Sequence, residues 1–85
     1  MTLDPMPLPD KAFKKITREL ELSAQQTKVV SYVLRGLTDK EIAERMSLKL
    51  PTIRSHLGRI FERGKVDNRL KLVLKIFAMS HNIAT

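Results

Sequence analysis

The 85-residue chain has no cysteine, so neither a disulfide framework nor a thiolate zinc site is open to it. Its two histidines, His56 and His81, stand 25 residues apart with no Asp/Glu cluster at ligand spacing, and no metal site is expected. No glycine-rich loop is present to cradle a nucleotide phosphate. Ser55 and His56 are neighbours along one helix, which is not the geometry of a nucleophile and its base. No catalytic residue, enzyme activity or cofactor follows from this inventory. Long apolar runs are missing too. The N-terminus lacks the apolar stretch of a signal peptide, and the apolar run near the C-terminus is broken by Lys71 and Lys75. A cytoplasmic protein with no membrane partner is the resulting expectation.

Acidic residues are scarce in one half of the chain. Residues 1–48 carry eight Lys/Arg against seven Asp/Glu, a net +1, whereas residues 49–85 carry eight against two, a net +6. A solvated face ordinarily mixes the signs, so a one-sided excess points to a polyanionic partner. The chain as a whole stands at +7 with a pI near 10.2. A chain of this length makes one small domain and buries only about 60% of its unfolded surface, so its core must be compact or be extended by a partner.

The excess begins inside the stretch around which the chain is organised, Thr38 to Lys65. Thr38 and Glu41 form a T-x-x-E capping box, and Ile42, Ala43 and Met46 then fall on one side of a short helix. After the Ser47-Leu48-Lys49 break, Pro51 suits the first turn of a second helix. Stepping about 100° per residue puts Ile53, Leu57, Ile60 and Gly64 on one face, and Arg54, Ser55, Gly58, Arg59 and Glu62 on the other. A short helix, a tight turn and a longer helix make a helix-turn-helix, whose second helix lies in the DNA major groove.

Around this centre the pattern gives three more elements. Residues 1–9 hold prolines at 5, 7 and 9 and read as an extended, mobile arm. Asp10 is placed to cap a short helix with Phe13, Ile16 and Leu20 on one face, docking on the domain. Ser23 and Gln26 open a further helix that Gly36 ends. Asn68 caps a last helix with two apolar stripes. One stripe comprises Leu70, Val73, Leu74 and Phe77, the other Leu72, Ile76, Met79 and Ile83. In so small a domain one stripe packs on the core and the other is available for association; the second is taken as the dimer surface, the alternative being that both stripes are buried, the second beneath the N-terminal helix.

The run from Leu22 to about Phe77 resembles the LuxR/GerE-type helix-turn-helix domain of bacterial transcription regulators. The resemblance is carried by Leu22-Ser23, the GLTDKEIAERM run at 36–46, Thr52-Ile53-Arg54, His56-Leu57, Ile60-Phe61, Val66 and Asn68-Arg69. It implies an all-α, four-helix domain with helices near 23–35, 38–46, 50–64 and 68–80, preceded by an N-terminal extension over 1–21. The domain itself is expected over 22–85.

The same resemblance implies that Arg54, Ser55, Gly58 and Arg59 face DNA, and that Lys40 and Thr52 match phosphate-touching positions. Arginine forks onto guanine edges and serine bonds either base type; Lys40, Thr52 and Arg63 are suited to backbone phosphates, which set register. His56 is expected to be structural or phosphate-touching. Four features depart from the family's pattern: Gln26 stands where glutamate is frequent, the 50–64 helix has no side-chain cap, Gly58 presents no side chain, and Gly64-Lys65 replaces the family's Leu-Gly before Val66.

The expected function is sequence-specific, dimeric binding of double-stranded DNA by a transcription regulator, with RNA polymerase or another regulator as further candidate partners. The alternative is a protein-interaction module that keeps the fold and pairs its last helix with another regulator. A sigma-factor-like helix-turn-helix is disfavoured by the T-I-R-S-H-L run. Control by abundance, control by a partner, and a piece cut from a longer regulator all remain open.

Overall fold

Local signals start and stop the helices, and apolar faces at helical spacing then bring them together. A computed structural model describes residues 3–84, with side chains through Asn82. Five helices follow in order: α1 (Asp10–Glu19), α2 (Ala24–Leu34), α3 (Asp39–Met46), α4 (Leu50–Gly64) and α5 (Arg69–Ala84). No strand occurs among the described residues. The architecture is all-α, as expected, with α1 as the extra helix of the N-terminal extension.

Both expected capping boxes form. The Ser23 hydroxyl accepts from the Gln26 amide at 3.1 Å, while the Gln26 carboxamide oxygen accepts from the Ser23 N–H at 2.9 Å. Thr38 and Glu41 do the same for α3, at 3.2 and 2.8 Å. The Thr38 backbone N–H donating to the Glu41 carboxylate, with the Thr38 hydroxyl beside it, stabilises the ionised carboxyl and holds its pKa below the ordinary 4.5. Gly36 ends α2 with φ +87°, a conformation glycine adopts without a Cβ penalty. Asn68 caps α5, its side-chain oxygen accepting from the Lys71 N–H at 2.9 Å. The first turn of α4 has no side-chain cap and relies on Pro51, whose fixed φ suits that position. At its other end the Lys75 ammonium donates to the Gly64 carbonyl at 2.6 Å, so α5 closes the helix it packs on.

One core takes residues from all five helices. Ile16, Val29, Val30, Ile42, Ile53, Ile60, Leu72 and Ile76 are fully buried. Helix α4 packs against α2, α3 and α5, while α1 lies on α5. Where α4 and α5 cross, Leu72 lies against Gly64, and a Cβ there would stand at an ordinary contact distance of 3.4 Å from Leu72 Cδ1.

Three expectations are corrected. The stripe assigned to association is not exposed: Leu72 and Ile76 are fully buried and Met79 is half-buried against the core. That side of α5 is enclosed by its neighbours: Leu72 lies against Gly64 of α4, and α1, whose apolar face includes Phe13 and Ile16, packs on α5 as well. The side chain of Ile83 lies outside the described residues. The other stripe is the open one, with Leu70 67% exposed, Leu74 58% and Phe77 41%. Second, the proline-rich arm is held against the body. Leu8 joins the core, Leu3 and Met6 pack on it, and Arg35 Nε donates to the Asp4 carbonyl at 2.9 Å. Third, Asp10 does not cap α1. The helix begins one residue earlier, with Pro9 at the cap position, and Asp10 pairs with Lys14 one turn on.

Candidate nucleic-acid interface

Helix α4 is long enough to bury one face and present another. Ile53, Leu57, Ile60 and Gly64 are buried, which turns Arg54, Ser55, Gly58, Arg59 and Glu62 to solvent. The ends of neighbouring helices stand on either side of this outward face. On one side, Gly36 to Lys40, at the start of α3, share a concavity with Leu50, Arg54 and Arg69. On the other, Ser23 and Gln26, at the start of α2, share a concavity with Pro51, Thr52, Ser55, His56 and Arg59. The sequence-nominated residues are thereby gathered around one helix: Lys40 and Arg54 on one flank, Thr52, Ser55 and Arg59 on the other, and Gly58 on the exposed arc between them.

The electrostatics of this surface favour an anion. Neither α2 nor α4 has an acidic residue in its first turn, so the positive ends of both helix dipoles are uncompensated. Among the described residues no ion pair engages Lys40, Arg54 or Arg59, leaving three exposed cations available to a partner. Arg63 differs. It pairs with Glu21 at 3.2 Å, and with Gln26, Arg59 and Glu62 it lines a shallow concavity near the end of α4. Both partners are more than half exposed, so the pair is weak and easily exchanged for another anion. His56 is half-buried at the edge of the second concavity, between the buried face and the polar one.

Gly58 has open space on its outer side: a Cβ built there meets nothing within 4 Å. The glycine is therefore not demanded by packing inside the chain. Gln26 carries no charge into its concavity and is occupied by the capping box, so the substitution of glutamate by glutamine leaves the cap intact.

Sequence reasoning missed Arg69 as a member of this surface. Its guanidinium donates to the Asp39 carboxylate at 2.5 Å and to the Leu37 carbonyl, bridging the start of α5 to the start of α3. The only signal was the Asn68-Arg69 pair, which carries no hint of a partner 30 residues earlier.

Comparison with known proteins agrees with this geometry. Residues 13–76 match the bacterial regulatory proteins of the luxR family. Over 52 residues, 61% of the chain, it is 38% identical to the HTH-type transcriptional regulator AlkS of Alcanivorax borkumensis and 36% identical to the monoamine regulon transcriptional regulator of Klebsiella aerogenes. The matched stretch covers 6% and 23% of those two proteins, respectively. No solved structure gives a significant match. A helix-turn-helix with an outward basic face, in a sequence matched over most of its length, places this chain in the luxR family of bacterial regulatory proteins.

Proposed function

We propose that the chain is a sequence-specific DNA-binding transcription regulator that lays α4 in the major groove and binds as a dimer. The observation that carries this reading is the outward face of α4, with unpaired Arg54 and Arg59 and the starts of α2 and α3 on its flanks. Arg54 and Ser55 read base edges. Lys40, Thr52, Arg59 and Arg63 hold phosphates, fixing the register of the helix in the groove. Exchange of Glu21 for phosphate is the step that engages Arg63, and the exposure of that ion pair makes the exchange inexpensive.

The dimer is assigned to the open stripe of α5, the exposed Leu70, Leu74 and Phe77, with Val73 half-buried against the core at its inner edge. Exposed leucines and a phenylalanine in one row on a small domain mark an association surface, and a second copy of the chain can cover them symmetrically. Two-fold protein symmetry is mirrored in the site, which makes an imperfect palindrome the expected target.

Selection from a random DNA pool at about 150 mM salt tests the reading, because bare phosphate attraction is already much weakened there. Enrichment of a palindrome is the expected result. A folded protein that enriches nothing would transfer the weight to a second reading, in which the α5 stripe pairs with another regulator and DNA is not read. The observation favouring that alternative is the same exposed stripe, together with the bare Gly58 in the outward face of α4.

A further inference from the structure

We infer that Arg69 is a positioning residue for DNA binding, acting by neutralising Asp39 beside the phosphate path; this inference rests on the DNA-binding reading. The first turn of α3 is the part of the proposed interface with the wrong sign. It carries Asp39 and Glu41 on either side of Lys40, whereas the first turns of α2 and α4 have no acid. An anion approaching Lys40 therefore meets two carboxylates. Glu41 is turned back onto the Thr38 N–H. Asp39 has no such duty in the cap, and its counter-charge comes from α5.

The pairing is specific in geometry. One guanidinium nitrogen of Arg69 donates to Asp39 and the other to the Leu37 carbonyl, using the planar fork that lysine lacks. The side chains are 37% and 30% exposed, so the pair is partly withdrawn from solvent screening, unlike the mostly exposed Asp10–Lys14 and Asp67–Lys71 pairs. Arg69 also opens α5, where the helix dipole disfavours a cation. Its partner Asp39 offsets that cost. Arg69, Thr38, Asp39, Lys40 and Arg54 line a single concavity, so the clamp stands within the surface whose charge it corrects. The next residue, Leu70, begins the exposed apolar stripe. Arg69 thus connects the association face of α5 to the phosphate-contacting turn of α3.

The test is a double-mutant cycle on the full chain, using a fluorescently labelled duplex of random sequence at low salt, where phosphate contacts supply the affinity. Arg69→Ala is expected to weaken binding on the order of tenfold, because it uncovers a carboxylate beside the phosphate path. Asp39→Asn in the same chain is expected to restore most of that loss, since the uncovered group is then neutral. Arg69→Lys, which keeps the charge but bonds one acceptor at a time, should fall between Arg69→Ala and wild type. A merely structural clamp predicts no rescue, because Asp39→Asn restores no contact. Circular dichroism identifies folded variants; if Arg69→Ala does not fold, Arg69→Gln replaces it in the same cycle. Folded variants that bind like wild type, or an Arg69 variant that Asp39→Asn leaves equally weak, overturn the inference while DNA binding by the wild type stands. A wild type that binds no duplex overturns the DNA reading itself, and the role of Arg69 with it.

Discussion

Substitutions at Gly58 separate what the residue costs the fold from what it does at the interface. The residue lies inside α4, on its exposed arc, and a Cβ there meets nothing within 4 Å. Gly58→Ala therefore adds a methyl without collision and reduces the conformational freedom lost on folding, a gain of roughly 0.5–1 kcal/mol. For a domain of this size, 1 kcal/mol corresponds to about 4–8 °C in Tm, so thermal unfolding followed by circular dichroism should show a rise of a few degrees. Gly58→Glu gains comparable stability, because glutamate is also a good helix former and the position is open. The two variants part at the interface. Glutamate sets a carboxylate between Arg54, Ser55 and Arg59, and binding to a DNA duplex should fall by at least tenfold, whereas alanine should leave phosphate-driven binding near wild type. A Gly58→Glu protein that is more stable and still binds DNA like the wild type would refute the assignment of this face. A Gly58→Ala protein with lowered Tm would refute the helical-interior argument.

Other perturbations probe the remaining parts. Arg54→Ala should weaken binding to a selected site by about 1–3 kcal/mol and relax preference at one position, measured by titrating site variants. Leu74→Asp with Phe77→Asp should yield a folded monomer in sedimentation, since both residues are exposed, and a persisting dimer would remove the α5 stripe from the association surface. Ile76→Ala should instead lower unfolding free energy by about 2–5 kcal/mol in denaturant titration, because that side chain is fully buried. Glu41, with its pKa lowered by its hydrogen bonds to Thr38, contributes stability that is present above its ordinary pKa of 4.5 and is lost as pH falls through the depressed folded value. Glu41→Gln keeps an acceptor for the cap, as Gln26 does in α2, and should flatten that acid limb in pH-dependent unfolding.

The local grammar of the chain was legible, and the choice between equivalent faces was not. Thr38-x-x-Glu41, Ser23-x-x-Gln26, Gly36 and Asn68 each act within a few residues, so pattern alone located the helix ends they govern. The face of α4 was readable for the same reason, its buried residues recurring at helical spacing. The two stripes of α5, by contrast, are each apolar and each regular. Which one is covered depends on where α1 and α4 dock on α5, a long-range fact that periodicity does not contain. Arg63 with Glu21, Arg69 with Asp39 and Lys75 with Gly64 were invisible for a related cause, since each joins groups 11 to 42 residues apart. The docked arm escaped notice because alternating prolines describe backbone shape, while its anchor depends on Leu8 reaching the core.

Helix α5 shows how a small domain gives one element several uses. Leu72 and Ile76 are fully buried in the core, and Lys75, one residue before Ile76, reaches the last carbonyl of α4. Arg69 at its start holds the turn that carries Lys40, while Leu70, Leu74 and Phe77 face outward. A shift of α5 along or about its axis would therefore disturb the end of α4 and the start of α3 together. If a second copy covers the outward stripe, the position of α5 is set by dimer packing, and the two ends of the DNA-facing surface are set with it. Monomers and dimers should then differ in affinity per subunit beyond the gain from bivalency, because the monomer leaves α5 less constrained. Comparing a Leu74→Asp/Phe77→Asp monomer with wild type on a duplex that holds a single half-site isolates that difference. Equal affinity per subunit would show that α5 holds its position without a partner, and that dimer formation contributes only the second half-site.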